Sequence, residues 1–140
     1  MTLEIMDFEE FQKKKTIQLQ NPLLLGVKMF LADVIYLVNM PYDINRRTCS
    51  DFALDVQNAA SKQGIRCGYV IINFEGVEAG HAIVAFETDY GLKFFEPQSA
   101  DEKDVIIGRR YSARLAGNVN EKIITKVEIL WNDGTNAIME

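Results

Sequence analysis

Cysteine, histidine and tryptophan are the scarce residues of this chain: two, one and one among 140. Two cysteines cannot build the disulfide framework that staples small secreted domains. Both are therefore expected as reduced thiols in a cytoplasmic setting, with a Cys49–Cys67 bridge as the lesser alternative. Two Cys and one His, spread between residues 49 and 81, match no usual zinc-ligand spacing, so no metal or other cofactor is expected. Positive charge is also short. The 15 Lys and Arg are outnumbered by 20 Asp and Glu, giving a formal net charge of −5. That balance speaks against nucleic acid or an anionic membrane as partner, since both recruit basic surfaces. Long apolar runs are missing too. The most apolar stretch, Pro22 to Met40, is interrupted by Lys28 and Asp33 and reads as a core helix rather than a membrane span. The opening residues, MTLEIMDFEEFQ, carry acids and lack the apolar centre of a signal peptide. No internal repeat or low-complexity segment is visible.

What is present fits one ordinary globular domain spanning 1–140. Hydrophobic residues make up 48% of the chain, enough for a core that needs no staples. The N-terminal helices are expected within 7–40. A short polar helix covers 7–19. A second runs through NPLLLGVKMFLADVIYLVNM, with Asn21 as cap and Pro22 in the first turn. Its apolar residues fall on nearly every side, which predicts a largely buried helix ended by Pro41. Residues 41–47 form a loop. Thr48 then caps a helix over 49–63, with Phe52, Val56 and Ala59 or Ala60 on its inner face and Gly64 as C-cap.

After Gly64 the period changes from helix to strand. IRCGYVIINF (65–74) reads as a strand and GVEAG (76–80) as a loop. HAIVAFE (81–87) and LKFFE (92–96) form a hairpin about TDYG, and Pro97 stops its second strand. Residues 98–104 read as a polar loop. The C-terminal strands fall within 104–132: VIIGRRY as a short one and KIITKVEILWN as the last. Helices first and an antiparallel meander after them give an α+β domain.

Three residues invite a chemical reading. Cys49 stands at the first position of its helix, where free N–H groups and the positive end of the macrodipole stabilise a thiolate. Arg46 and Arg47 just before it would add to the effect. The plain alternative is a small buried filler. His81 opens a strand after Gly80. A hairpin turning at Thr88–Asp89 places it directly across from Glu96, on a face otherwise made of Ile83, Ala85, Leu92 and Phe94. A shift of register by one would separate the two. Together Cys49, His81 and Glu96 make a nucleophile, a base and a group that orients the base. Cys67, within a strand and without a second base, reads as core. Were it close to an exposed Cys49, it would instead be the resolving thiol of a redox sensor.

These residues resemble the transglutaminase-like branch of the papain-like cysteine protease superfamily. The matching pieces are Cys49 with Asp51-Phe52-Ala53, Gly64-Ile65 with Val70, Gly80-His81-Ala82-Ile83-Val84, and Glu96-Pro97. Cys49 and His81 are 32 positions apart, and the core motif covers 41–99. The resemblance implies a papain-like or transglutaminase-like core, in which a Cys-bearing helix packs on an antiparallel β-sheet, and a Cys49–His81–Glu96 triad. It also implies a peptide or protein amide as substrate. The reaction would pass through a thioester acyl-enzyme, with hydrolysis by a peptidase or amidase favoured over transglutaminase-type acyl transfer. Two features depart from the pattern. The acid is Glu96 rather than the more usual Asp, and Ile83 stands where many members carry Trp. The glutamine that papain-like enzymes place upstream of the Cys is absent from 41–48. Asn45, Gln98 or the Cys49 backbone N–H are the candidate oxyanion donors. The alternative reading is a catalytically silent module of the same fold that only binds. The sequence sets no oligomeric state.

Overall fold

The computed structural model describes residues 18–38, 49–111 and 122–140. The expected helix over 7–19, the loop 41–47, the Thr48 cap, Arg46, Arg47 and Asn45 lie wholly or almost wholly outside these residues. The architecture is α+β. Two helices, α1 (Leu24–Val38) and α2 (Cys49–Lys62), pack on one face of an antiparallel sheet. The strands are β1 (Gly68–Phe74), β2 (Val77–Thr88), β3 (Gly91–Phe95), β4 (Glu102–Lys103), β5 (Arg110–Tyr111), β6 (Lys122–Trp131) and β7 (Asn136–Met139). Their order is β4-β3-β2-β1-β6-β5, with β7 also paired to β6. No described helix is long and apolar enough to cross a membrane.

Helix α2 forms where expected, with its inner face turned slightly, so that Ala53 and not Phe52 is fully buried beside Val56 and Ala60. Ala53, Val56 and Ala60 recur at helical spacing and are fully buried, against Ala82, Val84 and Phe86 on β2. Gly64 ends the helix in the left-handed region, at φ 74°. Ile65 N–H then reaches back to the Ala60 carbonyl at 2.9 Å, and Gly64 N–H to that of Ser61 at 3.2 Å. These are the two bonds of a Schellman cap. The Gln57 side chain fastens the helix to the sheet by donating to the carbonyls of Cys67 (3.1 Å) and Leu130 (2.8 Å).

Helix α1 departs from expectation twice. It is buried on one face only, through Val27, Phe30, Leu31 and Val34, while Leu25 and Met29 remain 69% and 63% exposed. The sheet offers one flat surface, and a helix laid on it cannot bury both sides. Asn21 is also not its cap. The free Leu24 N–H is met by Asp89 Oδ1 from the β2–β3 turn at 2.7 Å, and Asn21 Oδ1 instead accepts from Arg66 at 3.3 Å.

In the sheet, GVEAG is a loop only at its start. The chain turns at Glu75–Gly76, with Gly76 at φ 71°, and β2 already begins at Val77. Ile72 faces His81 and Phe74 faces Val77, so residues 78–80 bulge out opposite Asn73 alone. The β2–β3 hairpin closes on the Thr88–Gly91 pair, so it turns at Asp89–Tyr90, one position later than expected. Gly91, at φ 92°, provides the left-handed residue that such a turn needs.

The strands do not form a simple meander. After β4 the chain crosses to the far side, and β6 pairs with β1 along its whole length, from Gly68–Trp131 to Phe74–Ile124. β1 buries Val70, Ile72 and Phe74 on one face, and β6 matches them with Ile124, Val127, Ile129 and Trp131. Two strands carrying complementary apolar rows gain more from each other than either does from sequence neighbours. Two short segments were not foreseen. β4 lies in the expected polar loop, and β7 follows a turn at 132–135, so KIITKVEILWN is not the last strand. Of VIIGRRY, only Arg110 and Tyr111 are strand.

Candidate active site

Three elements converge at one end of β2. α2 brings Cys49 with its first residue, β2 brings His81 just past the bulge, and the chain leaving β3 brings Glu96. His81 Nε2 lies 2.9 Å from Glu96 Oε1 and 3.2 Å from Oε2. The pair is largely shielded from water, with side chains 13% and 3% exposed. The expected partners thus meet, although the register differs. Val84 faces Phe95, so a continued ladder would set Ile83, not His81, across from Glu96. The difference is two residues, and an even shift keeps every side chain on its own face. His81 and Glu96 are diagonal neighbours, a wider separation than a direct pair. The extra methylene of Glu over Asp suits that longer reach.

Glu96 is held by its backbone. Its N–H donates to the Asp101 carbonyl at 2.9 Å, and its carbonyl accepts from Ala100 N–H at 2.8 Å. This closes a tight loop in which Ala100 takes φ 62°, an uncommon conformation for a residue with a Cβ. Pro97, which has no N–H to offer a ladder, follows directly and ends the strand.

The neighbouring His81 ring, as hydrogen-bond partner, holds the Cys49 thiol below its ordinary pKa against the opposing effect of burial. The nearby backbone N–H groups of Ala82 and Ser50 also favour the thiolate. The Ser50 contribution comes from a free N–H of the helix terminus. Because Glu96 occupies Nε2, Nδ1 is the ring nitrogen left for Cys49. Burial alone would disfavour the imidazolium. Hydrogen bonds to Cys49 and Glu96 and their negative charges overcome it, and the His81 pKa rises to about 9.

Tyr111 was not singled out by the sequence. It is 2% exposed on β5, its hydroxyl donates to Glu96 Oε1, and its ring centroid lies 5.6 Å from that of His81. Burial and the adjacent Glu96 charge push its phenol far above the ordinary range, so it stays a proton donor. Nothing in VIIGRRY points to this contact, because it forms only when β5 is laid beside β6, on a strand that is itself remote from the hairpin. At the mouth of the site, Ser50 Oγ is hydrogen-bonded to the Tyr69 hydroxyl.

Two other sequence candidates lie among the described residues. Cys67 is wholly buried among the residues between sheet and helices, and burial pushes its thiol up. Both cysteines are free thiols, which replaces the minor Cys49–Cys67 bridge reading. Gln98 lies half-buried in the turn two positions beyond Glu96. Among the described residues no group of three His, Cys, Asp or Glu is arranged to hold a metal ion. No protein-family model matches the chain, and no curated protein is similar enough to be matched.

Proposed function

We propose that the protein is a cysteine-dependent amide hydrolase or acyltransferase of transglutaminase-like, papain-like type. Cys49 is the nucleophile, His81 the acid and base, and Glu96 the group that orients the imidazole. Hydrolysis of a peptide or protein amide is favoured over transfer to an amine. The observation that carries this reading is the shielded His81–Glu96 pair, with Cys49 at the start of its helix close enough for His81 to lower its thiol pKa.

The chemistry follows from that arrangement. The Cys49 thiolate attacks the amide carbonyl carbon, and the C–O electron pair moves onto oxygen. The backbone N–H of Cys49, in a first helical turn whose N–H groups lack intrahelical partners, is the candidate donor to that oxyanion. His81 gives its Nδ1 proton to the leaving amine as the C–N bond breaks, which leaves a thioester. Water or an amine then attacks the thioester, with Nδ1 now accepting the proton, and the thiolate is released. Glu96 keeps Nε2–H fixed and stabilises the imidazolium in both halves. A thiolate nucleophile must stay reduced, which fits the cytoplasmic setting expected from the sequence.

The test is the rate of Cys49 alkylation against pH, read by intact mass and peptide mapping in wild type and His81→Ala. Fast reaction at pH 6 that the variant loses supports a thiolate–imidazolium pair. A Cys49 that titrates near an ordinary thiol value of about 8.5 in both proteins rejects the enzyme and leaves the silent binding module.

A further inference from the structure

We infer that Tyr111 is a positioning residue that holds the Glu96 carboxylate in the one orientation that reaches His81 Nε2. The inference rests on the proposed roles of His81 and Glu96. Oε1 of Glu96 accepts from both the Tyr111 hydroxyl and His81 Nε2, and Oε2 lies farther from the ring, at 3.2 Å. Two donors that converge on one oxygen fix the plane of the carboxylate as well as its position. A diagonal strand pair needs this more than a direct pair does, because a long glutamate side chain has several rotamers and few of them span the gap.

Tyr111 itself has little freedom. It is fully packed, with its ring 5.9 Å from that of Phe74 and 5.6 Å from that of His81. Its strand is tied to β6 by the Arg110–Ile123 and Tyr111–Lys122 pairs. The far edge of the sheet thus reaches over to secure an acid delivered by the β2–β3 hairpin. Among the described residues, the titratable groups that act on the His81 ring are Cys49 from α2 and Glu96 from the chain after β3, and Tyr111 of β5 faces both His81 and Glu96. Removing the hydroxyl frees the carboxylate to rotate and takes a donor from a buried anion. The freed rotation weakens the hold on the imidazolium by more than the lost donor strengthens the carboxylate's pull.

The experiment is an NMR titration of the imidazole. The chain has a single histidine, so the signal needs no assignment. It is recorded in wild type, Tyr111→Phe, Glu96→Gln and the double variant, with thermal unfolding of each. Tyr111→Phe keeps the ring and its packing. Its His81 pKa is expected to fall by about one pH unit, a tenfold change in proton affinity, while the double variant titrates no lower than Glu96→Gln alone. Equal pKa values in wild type and Tyr111→Phe would overturn the inference, as would additive shifts in the double variant, since a purely structural tyrosine does not act through Glu96. The proposed function fails separately, when wild-type Cys49 shows no thiolate, and the imidazole titration remains readable in that case.

Discussion

Replacing Cys49 by Ser should change the shape of the stability–pH curve, and the sign follows from where the protons sit. In the unfolded chain His81 titrates near 6.5 and Cys49 near 8.5. In the folded protein the histidine is raised to about 9 and the cysteine lowered. A raised histidine contributes stability that is full below about pH 6.5 and lost as pH rises through about 9. A lowered cysteine contributes stability present above about pH 8.5 and lost as pH falls through its folded value. Above about 6.5 and above the lowered thiol pKa, up to about 8.5, the folded and unfolded states of wild type each hold one proton on this pair, on the imidazole when folded and on the thiol when unfolded. The pair then adds no slope in that window.

In Cys49→Ser the thiol is gone, and His81 keeps only the hydrogen bond and charge of Glu96 to oppose its burial. The variant should therefore lose stability across the window, at a slope approaching about 1.4 kcal/mol per pH unit. Between pH 6.5 and 8 this amounts to at most about 2 kcal/mol, and to less as the imidazole pKa falls with the thiolate removed. Urea unfolding of both proteins from pH 6 to 9, plotted as the difference between them, isolates the effect, because every other titrating group is common to both. A rising wild-type-minus-variant difference is expected. Parallel curves would mean that Cys49 remains a thiol in the folded protein or that Glu96 alone does not raise His81, and either would refute the argument.

Two further outcomes follow from packing. An added Cβ at Gly68 would sit 2.5 Å from Ile129 Cγ2 and 3.2 Å from Trp131 Cε3, both on well-buried side chains, so Gly68→Ala should cost about 1–3 kcal/mol by denaturant titration. A substitution that leaves stability unchanged would show that β1 and β6 have room to separate. Cys67, fully enclosed and with its thiol pushed up, should resist a small alkylating reagent at pH 8 until the protein is unfolded; native labelling at the rate of Cys49 would contradict its placement.

The sequence carried the local chemistry of this protein. A cysteine at a helix start, a glycine fit for a Schellman cap, and a histidine and a glutamate on the same face of a hairpin are set by short-range periodicities of 3.6 and 2. That is why the His81–Glu96 contact survived a register misplaced by two. Its legibility ended where distant segments compete for one place. The exposed side of α1, its cap from Asp89 in place of Asn21, and the insertion of β6 beside β1 all depend on which surfaces meet. So does Tyr111, which reaches Glu96 only because β5 is carried there by β6. Such contacts join residues whose spacing in the chain has no bearing on their distance in space. They are decided by the shared burial of apolar rows, a non-directional force with no period along the sequence, and only the assembled sheet determines them.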